Sequence, residues 1–365
     1  KRLRYSKQKN QYSSADSGNS WNNVSGTVYF VYAKNPETVG TVNHTSDGIT
    51  MTMKNLDGNN VAIGPDSNSR IDIGGSYGNG SIKKNLLRTL LGNNGYPIAS
   101  NSGTNLESLF NGKEVNHLFL KSVYDSTGYY EYSSFKNYAY LGSDNSNFTV
   151  YDVIGTPKNE DRYFYKRGNF MPYNEIANGK FSTNANLYDE DGKKLADTDP
   201  EKGRELYLTQ GTNDYYFSMY MGANFLQPKN GKATLPDGST KQDMIYEFNG
   251  DDDMWIYIDG VLVLDIGGVH DAHSGKINFN TGVVSWKDCQ TGNDPVESST
   301  TLKAIFQTAG VFPDGTGWDD SKVGNYFTGN TFKDYTTHTF KMFYMERGAG
   351  ASNLHVKFNI QVIPS

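Results

Sequence analysis

The chain has 365 residues, enough for one large all-β domain or two ordinary ones, and for a packed core in either case. Hydrophobic residues make up 36% of it and aromatic residues 13%, which argues against disorder of the whole chain. Lys and Arg (34) against Asp and Glu (40) leave a net charge of -6, with no long basic run after Lys1, Arg2 and Arg4, which speaks against nucleic acid as a partner.

In chain order, residues 1–25 show no sustained periodicity and read as a tail. Short β-branched or aromatic runs at Thr27 to Tyr32 and Ile49 to Met53 predict strands. Ile82, Leu86, Leu87, Leu90 and Leu91 share one helical face, so a short helix is expected over Ser81 to Leu91. A second is expected over Asn105 to Phe110, opened by Thr104 with Glu107 at the capping-box spacing. Tyr129, Tyr130, Tyr132, Tyr138, Tyr140 and Tyr151 punctuate a hairpin-like stretch. They suit half-buried strands or a sugar-stacking face. Residues 178–205 are polar, with an Asp189 to Gly192 turn, and predict an exposed excursion.

From Tyr215 the pattern becomes clear alternation. Strands are predicted at Tyr215 to Met221, Asp243 to Phe248, Met254 to Ile258, Val261 to Ile266, Thr337 to Met345 and Leu354 to Ile363, with a helix at Leu302 to Thr308. Asp259-Gly260, between two apolar runs, predicts a tight hairpin because both residues tolerate positive φ. In the strand before it, Trp255 and Tyr257 share one face and Met254, Ile256 and Ile258 the other. The pattern implies an all-β fold, an antiparallel sandwich. Residues 1–44 are expected to form a tail and leading strand, and 45–365 a single composite domain with an insertion at about 57–205 carrying one or two short helices.

Between two predicted strands lies Asn249-Gly250-Asp251-Asp252-Asp253. At an effective dielectric of about 20, two unit charges about 4 Å apart cost on the order of 4 kcal/mol, more than a surface turn gains from backbone hydrogen bonds. A divalent cation would offset that, and an oxygen-only cluster selects Ca²⁺ over zinc or copper. The alternative is a hydrated acidic loop with its carboxylates splayed apart. His270 and His273, three apart, lack the Cys or third His that a zinc site needs and read as loop tethers. Asp265 is either a further ligand or a brace for the loop that follows it.

The run GDDDMWIYIDGVLVLDIGGVHDAHSGKINFNTG, Gly250 to Gly282, resembles the signature of the fibro-slime domain of bacterial surface adhesins, related to the protective-antigen-type lectin-like β-sandwich. Thr337 to Ile360 and Tyr216 to Gly231 are similar to further strands of that family, and Gly48 to Leu56 and Gly95 to Pro97 more faintly so. In the adhesin branch two adjacent aspartates joined by a cis peptide hold a Ca²⁺ that also binds vicinal sugar hydroxyls. The resemblance therefore implies Asp251, Asp252 and Asn353 as metal ligands and Asp253, Arg347 and Ser352 as ligand-contacting residues. Asp253 departs from the small residue usual there.

The resemblance implies a calcium-dependent binding module for a glycan or glycoprotein on a host or dietary surface, not an enzyme. A host protein such as an immunoglobulin, with calcium only structural, is a second reading. A glycoside hydrolase is a third, disfavoured because neighbouring turn aspartates are too alike to split their pKa values. A single Cys289 excludes an internal disulfide. With the Asn-, Ser-, Thr- and Tyr-rich composition it fits an extracellular, secreted or wall-attached protein of a Gram-positive bacterium. No apolar stretch approaches the roughly 20 residues needed to cross a bilayer, so no membrane insertion is expected of this segment.

Overall fold

A computed structural model describes residues 48–56, 71–141, 146–152, 169–174, 176–178, 206–208, 214–288, 296–348 and 352–363. All lie in the compact unit Gly40–Ser365. The expected tail, the Thr27 to Tyr32 strand, Cys289 and the Asp189 to Gly192 turn fall outside the described residues.

Twelve strands build two antiparallel six-stranded sheets. In chain order they are β1 (Ile49–Asn55), β2 (Lys113–Glu114), β3 (Tyr130–Ser133), β4 (Phe217–Leu226), β5 (Ile245–Gly250), β6 (Asp253–Ile258), β7 (Val261–Ile266), β8 (His273–Asn278), β9 (Val283–Asp288), β10 (Val296–Thr301), β11 (Thr337–Glu346) and β12 (Leu354–Phe358). The first sheet has the order β7-β6-β11-β4-β1-β2 and the second β10-β9-β8-β5-β12-β3. Shorter hairpins flank them, among them Asn137–Leu141 with Phe148–Asp152. Among the described residues three short α-helices accompany the sheets: α1 (Glu107–Phe110), α2 (Lys121–Thr127) and α3 (Leu302–Ala309). No helix of the described residues is long and apolar enough to cross a membrane.

The alternation in β6 explains the layering. Met254, Ile256 and Ile258 point into the core between the sheets with Tyr246, Phe248, Met342 and Tyr344. Trp255 and Tyr257 point the other way, with Phe343 and Met345 of β11, and are covered by Ile73, Leu87, Leu106, Leu109 and Phe110. The segment 71–110 is thus a third layer, and Trp255 is a core residue. The Asp259-Gly260 hairpin forms as expected, with φ of 49° and 78° at its two central residues. Tyr130, Tyr132 and Tyr138 are buried, so they build core and not a binding face.

The helix expected over Ser81 to Leu91 is absent. Asn85 has φ 64°, and the backbone N–H groups of the segment are spent elsewhere: Lys83 donates to Gly267 O, Arg88 to Ile98 O and Leu91 to Gly260 O. The leucines pack as a cover laid along the edge of β7, and tertiary hydrogen bonding overrides the local period. Helix α1 begins later than expected, at Glu107, whose N–H bonds to Asn105 Oδ1 (3.0 Å) in place of a Thr104 cap. Helix α3 lies where the apolar face predicts it, capped by Thr301, whose hydroxyl accepts from Ala304 N. Part of the expected insertion joins the sandwich directly, because β2 and β3 are the outermost strands of the two sheets.

Candidate functional site

Sheet order places the site. Strand β5 ends at Gly250 in the second sheet and β6 begins at Asp253 in the first, so Asp251 and Asp252 form the link between sheets. Strand β11 ends at Glu346 in the first sheet and β12 begins at Leu354 in the second, and β7 leads to β8 in the same way through 267–272. The registers Asp253 with Met345, Gly250 with Leu354, Met254 with Ile266 and Gly250 with His273 bring the three links to one end of the sandwich. Gly250 permits the close approach: a Cβ there would stand 2.3 Å from Asn353 O.

The Asp251-Asp252 peptide bond is cis. Asp251 and Asp252 are buried, 5% and 3% exposed. Asp251 accepts a short bond from Asn353 N through Oδ1, and its carbonyl accepts from the Tyr344 hydroxyl (2.9 Å). Asp252 Oδ1 accepts from His270 N (3.1 Å) and Oδ2 from Arg347 N (3.2 Å). Each aspartate therefore tethers one or both neighbouring links. Burial pushes the Asp251 carboxyl up to about 7, helped by the charge of Asp252. Burial, then the charge of Asp253, raises Asp252.

Asp253 faces the covering layer and is paired with Arg347: Nε to Oδ2 is 2.6 Å and Nη2 to Oδ1 is 3.2 Å, with Gly268 N also donating to Oδ1 (2.5 Å). Both side chains are fully buried. Ser352, also fully buried, donates its hydroxyl to Phe170 O (2.7 Å) and its N–H to Asn169 Oδ1 (3.0 Å). The three residues expected to contact ligand thus brace the links from inside, whereas Asn353 is half-buried beside Asp251.

Glu346 belongs to this site and escapes sequence reasoning. It is fully buried; Oε1 accepts from Gly348 N (3.0 Å), while Oε2 has no hydrogen-bond partner. Its carboxyl lies against that of Asp252, and burial, then the charges of Asp252 and Asp251, push its ionisation well above the carboxylate range. The available signal is a carboxylate that ends the apolar run of β11 next to an arginine. Among the described residues, four buried carboxyls, Asp251, Asp252, Asp253 and Glu346, share one buried guanidinium. Such a cluster calls for protons or for a cation.

The remaining candidates are structural. Asp265 accepts from Trp255 Nε1 (3.1 Å) and Asn85 N (2.8 Å), bracing the cover segment. His273 Nε2 meets Gly80 O (2.7 Å), His270 Nδ1 meets Asp271 O (2.8 Å), and burial lowers both imidazoles. Among the described residues no three His, Cys, Asp or Glu side chains converge into a metal-holding group. A cation here would take two aspartates and fill its shell of 6–8 oxygens from the Asn353 amide, backbone carbonyls, water or ligand. The hard-oxygen donor set and the excess buried negative charge fit Ca²⁺.

No protein-family model matches the chain. Protein psiF of Dictyostelium discoideum is 24% identical over 278 residues, covering 75% of this chain and 28% of psiF. Protein psiB of the same organism is 31% identical over 110 residues, 30% of this chain and 17% of psiB. The chain thus spans under a third of these relatives' own length. Among solved structures, a PA14 sugar-binding domain from an RTX adhesin aligns over 60% of this chain and 85% of its own, at 12% identity and a TM-score of 0.15. A likeness of that size carries no argument.

Proposed function

We propose that the chain is a calcium-dependent carbohydrate-binding module of an extracellular surface protein, and not an enzyme. The observation that supports this reading is the meeting of three sheet-to-sheet links around a buried Asp251-Asp252 pair with, among the described residues, more buried carboxyls than cations. A Ca²⁺ held by Asp251, Asp252 and Asn353 would offset most of that imbalance and keep coordination positions for two vicinal hydroxyls of a sugar. Sugars otherwise exchange water hydrogen bonds for equivalent protein ones, so an ion that replaces water is what makes their capture favourable. The carbohydrate rests on the resemblance of Gly250 to Gly282 to the fibro-slime and protective-antigen-type sandwiches, and so does placement on a secreted or wall-attached Gram-positive protein.

Binding is favoured over hydrolysis by the surroundings of the carboxyls. Glycosidases place an acid and a base on either side of a scissile bond, about 5–9.5 Å apart. Here Asp251 and Asp252 are consecutive, and each accepts backbone N–H bonds. The reading in which the Tyr-rich stretch docks a host protein draws less support, since Tyr130, Tyr132 and Tyr138 are buried and Tyr129 and Tyr140 are half-buried.

The test is calorimetric titration of metal-free protein with CaCl₂ at pH 7.5, followed by glycan-array capture with and without EDTA. Uptake of one ion with Kd on the order of 1 mM or tighter is expected. Asp252→Asn should weaken it at least about tenfold, and EDTA should abolish capture. No heat at millimolar calcium, or capture indifferent to chelator, overturns the reading.

A further inference from the structure

Three aromatic side chains stand out among the exposed large hydrophobics of the described residues: Tyr77 (47%), Phe135 (49%) and Tyr335 (44%). Two of the three border the site.

Phe135 lies at the tip of the turn after β3. Strand β3 pairs with β12 in the register Ser133 with His355, and the next positions are clamped by Ser134 N to Leu354 O (2.9 Å) and Leu354 N to Ser134 Oγ (3.0 Å). Phe135 thus follows directly on the residue clamped to Leu354, the chain neighbour of Asn353, whose N–H bonds to Asp251.

Tyr77 lies on the opposite flank. Its loop is zipped to the 267–271 link by Val269 N to Gly75 O (2.7 Å) and Asp271 N to Gly80 O (3.2 Å). Between those two bonds, His270 N donates to Asp252 Oδ1. Gly75 is packed so tightly that a Cβ there would stand 3.0 Å from Gly268 Cα and 3.2 Å from Arg347 Nη2. The Tyr77 hydroxyl donates to Asp271 Oδ1 (3.1 Å), which fixes the ring at its polar end and leaves the rest in solvent.

Single exposed aromatics need no explanation, but an exposed Phe ring and a tethered Tyr ring on turns bonded to the segments that hold an acidic pair form a pattern. Pyranoses carry a C–H face that stacks on aromatic rings and a hydroxyl edge that binds a hard cation. A ring that is already held loses little freedom on binding.

We propose that Phe135 and Tyr77 are ligand-contacting residues, two aromatic walls that take the C–H face of a pyranose whose adjacent hydroxyls reach the ion at Asp251 and Asp252. This rests on the calcium-lectin reading above and goes beyond it by assigning the residues that set which sugars fit.

The test compares the parent chain with Phe135→Ala, Tyr77→Ala, Tyr77→Phe and, as a control at the other end of the sandwich, Tyr335→Ala. Calcium uptake is measured by calorimetry. Sugar binding is measured by saturation-transfer NMR with the methyl pyranosides of mannose, galactose and fucose, and by glycan-array capture in millimolar calcium, at or above the Kd range of extracellular modules. Phe135→Ala and Tyr77→Ala are expected to keep calcium uptake and lose about tenfold or more in sugar affinity. Tyr77→Phe should fall between, and Tyr335→Ala should match the parent. Parent-like sugar binding by both alanine variants overturns this proposal alone. Failure of the parent to take up calcium or to capture any glycan overturns the lectin reading, and this proposal with it.

Discussion

The Asp253–Arg347 pair is where a single residue decides most. Both partners are fully buried, and among the described residues Arg347 is the only guanidinium buried with the four carboxyls. A buried pair contributes little net stability, yet removing one partner strands a charge in a dry environment. Arg347→Met should therefore destabilise the protein by about 3–5 kcal/mol. Arg347→Met combined with Asp253→Asn, which removes the stranded charge and keeps an acceptor for Gly268 N, should recover at least about half of that. Urea-unfolding midpoints check both, and a double variant no better than Arg347→Met would show that the guanidinium acts through packing and not charge.

At the scale of elements, Asp243 joins a small hairpin to the second sheet. It accepts from Lys232 Nζ (2.6 Å), Asn280 Nδ2 (2.7 Å) and Asn278 Nδ2 (3.1 Å). The Lys232 bond, with those of Asn280 and Asn278 against a smaller opposing effect of burial, lowers its carboxyl to about 2. A folded-state value below the unfolded one gives stability that is present above about pH 4 and lost as pH falls through about 2. The side chain is 35% exposed, so solvent screening limits the effect to about 1 kcal/mol or less. Asp243→Asn should lower the melting temperature at pH 7 and match the parent near pH 2; an equal deficit at both would assign the loss to hydrogen-bond geometry. The same scale shows what the sequence reveals. The Asp259-Gly260 turn is legible because positive φ is a local demand, and β6 because its two faces meet two different apolar layers. The Ser81 to Leu91 segment misleads because Leu86, Leu87 and Leu91 pack over a sheet face while its N–H groups bond to Gly267, Ile98 and Gly260, at the two ends of β7 and within the covering layer. Of the site, the acidic pair is legible as a charge problem. Glu346 is not, since only tertiary register brings the end of β11 beside Asp252.

Across the whole molecule, the two ends of the sandwich do different work. Strand β11 runs ten residues, roughly 33 Å, from Thr337 beside the Asp259-Gly260 hairpin to Glu346 in the site. At the Thr337 end the polar groups are matched: His338 Nδ1 meets Asp259 Oδ2 (2.6 Å) and its Nε2 meets Thr336 Oγ1 (2.7 Å), over a stacked Phe332. At the Glu346 end they are not, because among the described residues one guanidinium faces four carboxyls and Glu346 Oε2 lacks a partner. Local opening is easiest where buried charge is unbalanced, so the three links should exchange amide hydrogens faster than the strands they join. A bound ion that prefers the folded state stabilises by about 2.7 kcal/mol at a hundredfold excess over Kd. That gain should appear where the ion sits. Hydrogen exchange with and without calcium should therefore show added protection at residues 251–253, 267–272, 346–348 and 352–353, with Leu302–Ala309 and the Asp259-Gly260 turn unchanged. Protection at these segments that does not rise with calcium would mean that the acidic end is closed by protons and not by a metal.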